Sequence, residues 1–73
     1  MDDALAKKIV LVLKAAKEPL ETKEIEERLK GAGVTRTKVF YRLMLLRGEN
    51  KVKGKFAGPG KGVWIWWAPQ AFR

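Results

Sequence analysis

The chain predicts an α+β fold: three helices followed by a small antiparallel hairpin. Three observations carry this. Apolar residues recur at helical spacing through the first two-thirds. The period then shifts to two at Val52 and Phe56, which share a face opposite Lys51, Lys53 and Lys55. A glycine-rich stretch, Ala57-Gly58-Pro59-Gly60-Lys61-Gly62, separates this segment from a second strand at Val63 to Trp67.

The first helix is expected over 4–17. Asp2 or Asp3 caps it, and Leu5, Ile9, Val12, Leu13 and Ala16 form its stripe. Val10 and Leu11 lie off that stripe, so cover on more than one side is expected. Pro19 ends the helix, and Leu20 is a short extended segment. Thr22 is the expected cap of a second helix, about 23–30, with Ile25 and Leu29 inward. Glu24 with Arg28, and Glu26 with Lys30, are spaced to pair along its outside. Gly31-Ala32-Gly33 breaks it. Thr35 caps a third helix, about 36–47, and Gly48 or Asn50 supplies a left-handed stop. Pro69 ends the last strand. There is no repeat, low-complexity tract or linker, and residues 1–73 read as one domain.

At 73 residues the core is thin, and 47% hydrophobic content supports a globular chain. Without Cys or His there is no disulfide and no ordinary zinc site. Without Ser as well, the usual nucleophiles and the near-neutral general base are missing, so the chain is read as a non-enzyme needing no cofactor. No small-molecule substrate is evident. The apolar runs, Ile9 to Leu13 and Val63 to Ala68, are far too short to span a bilayer, so no membrane association is expected. Asp2 and Asp3 stand where a secretory signal would be basic. A cytoplasmic protein, nucleoid-associated if prokaryotic, is the expectation. Abundant Lys, Glu and Arg with little Asn or Gln resembles thermophile usage.

The net charge of +8 is unevenly placed. Residues 1–33 hold seven bases against seven acids, a net of zero; residues 34–73 hold nine bases against one acid, which gives the whole +8. A concentrated excess is the footprint of a polyanion binder. On the third helix, Val39, Leu43 and Leu46 make one inward stripe. Thr37, Lys38, Tyr41 and Leu45 lie roughly opposite, with Arg36 and Arg42 on the flanks. Hydroxyls, a phenol and cations there suit phosphate, or guanine through Arg. Tyr41 could instead cap the core edge, and Arg42 could instead pair with the second helix. Phe40 and Met44 are expected to pack on the sheet or the second helix. Lys53, Lys55 and Lys61 can each neutralise a phosphate, or simply keep a sheet edge soluble.

The run Val34-Thr35-Arg36-Thr37-Lys38-Val39-Phe40-Tyr41-Arg42-Leu43, with Leu46 and the exit through Gly48 to Val52, resembles the turn and recognition helix of the winged helix-turn-helix family. Leu20, Ile25 and Leu29 match the preceding helix, and the basic hairpin 51–67 looks like the wing. The resemblance covers nearly the whole chain and rests on order and spacing together. It implies a winged helix, with double-stranded DNA in contact with the third helix in the major groove and the wing on the backbone or minor groove; a transcription regulator or architectural factor is the expected role. The expected DNA-binding residues are Arg36, Thr37, Lys38, Tyr41, Arg42, Lys53, Lys55 and Lys61.

Two other functions compete. Trp64, Ile65, Trp66 and Trp67 make both faces of the last strand apolar, which suits a protein-interaction module or a homodimer. The same tryptophans suit single-stranded nucleic acid. Glu21 and Glu24 at the start of the second helix would repel a phosphate there, so binding has to rest on the third helix and the hairpin.

Overall fold

A computed structural model describes residues 3–31, 33–60 and 62–70. The elements are α1 (Ala4–Ala15), β1 (Leu20–Glu21), α2 (Thr22–Arg28), α3 (Arg36–Gly48), β2 (Lys53–Ala57) and β3 (Val63–Trp67). The α+β class and the order of elements agree with expectation. The sheet has three antiparallel strands in the order β1-β3-β2, so the last strand in the chain is the central one.

Local chemistry sets the helix ends. The Asp3 carboxylate accepts from the Ala6 N–H at 2.8 Å and caps α1. The helix stops at Ala15, two residues earlier than expected, because Ala16 turns extended on the approach to Pro19. α2 is capped by Glu21 rather than Thr22. Glu21 and Glu24 form a capping box in which the Glu24 carboxylate accepts from the Glu21 N–H at 2.8 Å. Thr22 has another partner: its hydroxyl accepts from the Trp66 indole N–H at 2.8 Å. Thr35 caps α3 as expected, accepting from the Lys38 N–H at 3.2 Å. Gly48 stays inside α3, and Asn50 makes the stop with φ 62°. Beyond it the Lys51 N–H reaches back to the Leu46 carbonyl.

The core lies where the three helices meet the inner face of the sheet. Ile9 and Leu13 come from α1, Leu20 from β1, and Ile25 from α2. Val39, Leu43 and Leu46 come from α3, with Val52, Trp66 and Ala68 from the hairpin and its exit. Gly54 pairs with Trp66, and a Cβ at Gly54 would lie 2.5 Å from two indole carbons. Glycine is therefore required there by close approach rather than by φ. Val52 and Phe56 share the inner face as expected, yet Val52 is buried and Phe56 is 53% exposed. Phe56 lies opposite Trp64 and meets its ring edge-on, with centroids 6.1 Å apart.

Candidate nucleic-acid interface

α3 has four distinct sides. Val39, Leu43 and Leu46 are buried in the core. Phe40 and Arg47 face the hairpin: Phe40 meets Trp64 and Trp66 edge-on, with centroids 6.4 and 6.0 Å away. The Arg47 guanidinium lies 5.3 Å from the Trp64 ring centroid, and its Nε donates to the Gly54 carbonyl at 3.3 Å. Arg42 faces α1. Thr37 and Tyr41, one turn apart, face solvent, and Tyr41 is 59% exposed.

The expected site residues divide among these sides. Arg36, Thr37, Lys38 and Tyr41 are all exposed along the first half of α3. Arg36 is tied through Nε to Glu26 of α2 at 3.0 Å, with 60% of its side chain still exposed. Arg42 is held more firmly. Its Nε and Nη2 each lie 2.8 Å from one Asp3 oxygen, Nη1 donates to the Lys38 carbonyl at 3.3 Å, and 22% of the side chain is exposed. The partner is thus the cap of α1, not a carboxylate of α2. The Arg42 hydrogen bond, with the Ala6 N–H second, holds the Asp3 carboxyl below its ordinary pKa.

Lys53 and Lys55 are not brought to α3. They pair with Trp67 and Ile65. These residues alternate with Gly54, Trp64 and Trp66, so their side chains occupy the face turned away from the helices. Lys61 lies outside the described residues. Phe40 packs on the sheet, as expected, while Met44 is 37% exposed.

Between the first turn of α3, the start of α2 and β3 lies a recess of about 430 Å³. Phe40 and Trp64 form its apolar wall, Thr22 and Thr37 contribute hydroxyls, Arg36 and Lys23 line it with positive charge, and Glu21 adds a carboxylate. A second recess, about 410 Å³, lies on the α1 side and gathers Lys8, Lys30, Lys38 and Arg42. Sequence reasoning missed Arg47, Lys23, Lys8 and Lys30. Only Arg47 carried a signal: it stands seven residues after Phe40, hence on the same side of α3.

Comparison of the chain with protein-family models, curated proteins and solved structures gives no match. Among the described residues no group of three or more His, Cys, Asp or Glu is placed to hold a metal. Among the same residues no helix is long and apolar enough to cross a membrane. The arrangement offers cations, hydroxyls and a phenol on a rigid helix face, with no acid in the first half of α3.

Proposed function

We propose that the chain is a winged helix that binds double-stranded DNA with α3 in the major groove, as a transcription regulator or architectural factor. The observation that carries this is the open face of α3. Arg36, Thr37, Lys38 and Tyr41 project from a helix whose other sides are fixed by the core, the hairpin and the Asp3–Arg42 pair. A rigid cationic helix face is suited to a groove. The charge supports the reading, since the half of the chain containing α3 holds the whole net +8. Arg36 and Tyr41 are the foremost contacts and Lys38 neutralises a phosphate. Arg42 contributes by direct contact only if it leaves Asp3, and otherwise steadies α3. Lys53 and Lys55 are peripheral in this reading because they face away from α3.

The test is fluorescence anisotropy of a labelled random duplex at two salt concentrations. Nonspecific binding of about 10⁻⁴–10⁻⁶ M at physiological salt is the expected floor. Arg36→Ala and Tyr41→Ala should weaken it with the helical circular dichroism intact. No binding at low salt and micromolar protein would overturn the reading.

A second reading has its own observation. Val63, Ile65 and Trp67 lie together on the outer face of β3, half-buried and flanked by Lys53 and Lys55. Such a face suits an apolar protein contact, including a second copy of this chain. Its mark would be association that does not weaken with salt.

A further inference from the structure

We infer that the recess between α3, α2 and β3 is a subsite for one unpaired nucleobase, so that the protein prefers nucleic acid in which a base has left the stack. This rests on the nucleic-acid reading of α3, and it names a kind of substrate that the exposed helix face does not.

The recess is shaped and lined for a flat, heteroatom-rich ring. At about 430 Å³ it falls within the range of small-ligand sites. One wall is aromatic. Trp64 is stacked on Trp66 at 5.2 Å and covered by Arg47, so a ring in the recess would meet Phe40 and the edge of Trp64. The facing groups are polar. The Thr22 oxygen already accepts from the Trp66 indole, so its own hydroxyl proton is left to donate. Thr37 adds a hydroxyl that can donate or accept. A purely apolar side chain would leave these groups without partners, whereas a base edge can satisfy them.

The charge around the recess points the same way. Arg36 is mostly exposed and bound to Glu26 through Nε, and Lys23 is exposed beside it. Arg36 suits the phosphate that accompanies a nucleotide, and it does so better than Lys23, because Glu21 also lines the recess and repels a phosphate at the start of α2. Arg36 and Thr37 also belong to the face of α3 proposed to meet DNA. A strand following α3 would therefore pass the mouth of the recess. A paired base reaches it only by unstacking, at a cost of a few kcal/mol, and this cost is least for a base already without a partner. Discrimination should thus appear between substrates that share a backbone and differ in one base.

The experiment compares three labelled duplexes at equal length and salt: blunt and fully paired, with a one-nucleotide bulge, and with the same bulge made abasic. The abasic probe keeps the phosphate and the flexibility and removes only the ring. The base-bearing bulge is expected to bind about 5- to 20-fold more tightly than the abasic one, the lower part of the range for a base on an aromatic surface. Phe40→Leu should shrink this ratio while leaving affinity for the abasic probe unchanged, which also shows that the variant is folded. Equal affinity for the two bulges, with the blunt duplex bound, overturns the subsite and leaves the duplex reading intact. Base-dependent binding without any blunt-duplex binding overturns the duplex reading and supports the subsite. Binding to none of the probes overturns both. A base-to-abasic ratio unaffected by Phe40→Leu places the base elsewhere and overturns the assignment.

Discussion

The two faces of the sheet are built from alternate residues of the same strands, yet they differ in almost every physical respect. On the inner face Trp66 is fully buried, stacks on Trp64, meets Phe40, and has its indole N–H satisfied by Thr22. One residue later Trp67 lies on the outer face, half-buried and opposite Lys53. Gly54 is on the inner face because the Trp66 ring occupies the space of its side chain, whereas Lys53 and Lys55 on either side of it face outward. Residue type alone thus says little about a tryptophan's job. Parity along β3 decides it: even positions anchor the hairpin to α3, and odd positions form a surface.

That contrast can be tested most severely at the tryptophans. Trp66→Ala should cost about 3–5 kcal/mol, the range for large aromatic residues removed from a core. This is a large share of the about 5–15 kcal/mol that holds a typical domain. Trp67→Ala should cost less than half as much by denaturant unfolding. Equal losses would mean that the outer face is a core in its own right, covered by something beyond the described residues.

Gly54→Ala comes next. Its new Cβ would meet the Trp66 ring at 2.5 Å, and overpacking of this kind costs about 1–3 kcal/mol. A thermal melt unchanged by the substitution would show that the indole can shift, and that the inner face is looser than its close packing implies. Thr22→Val keeps the volume and removes the acceptor of the indole N–H. An effect of about 1–3 kcal/mol is expected for an unsatisfied buried donor, toward the lower end if water reaches it. Pairing this variant with Trp66→Phe in a double-mutant cycle isolates the bond.

The smallest effects belong to the outer lysines. Lys53→Ala and Lys55→Ala should each change stability by no more than about 0.5 kcal/mol. They should also leave the salt dependence of duplex binding unaltered. Lys38→Ala, on α3, should flatten the log–log slope by about 0.9, the amount that each neutralised phosphate contributes. A flatter slope from the outer lysines instead would bring DNA to the other face of the sheet.

Much of this architecture is legible in the chain. Thr35 before a helical stripe, Asn50 after it, and alternation from Val52 all signal their own local conformations, and each element forms within two residues of its expected bounds. The alternation even sets Lys53 and Lys55 opposite Val52. It cannot say which face meets α3, because that depends on Trp66 finding Phe40 and Thr22 across the fold. The expected Thr22 cap fails for a related reason. Its hydroxyl is taken by a side chain 44 residues away, and the neighbouring glutamates take over the capping. Arg42 likewise shows its partner only in three dimensions, since Asp3 is 39 residues away along the chain. On the candidate site, the exposure of Arg36, Thr37, Lys38 and Tyr41 follows from helical period alone, whereas the neighbouring recess is assembled from three elements and has no local signature.

The place of β3 has a consequence for the order in which the chain can become a protein. β1 and β2 each have β3 as their partner, and β3 is synthesised after both of them and after all three helices. As the chain leaves a ribosome, neither flanking strand has anything to pair with until residues 63–67 emerge. The helices meanwhile lack Trp66, the largest side chain of their shared interior. Stable structure should therefore arrive in one late step, set by the appearance of a single aromatic strand. A nascent chain whose exposed part stops before residue 63 should remain open to protease, and one in which Ala68 has cleared the ribosome should become protected.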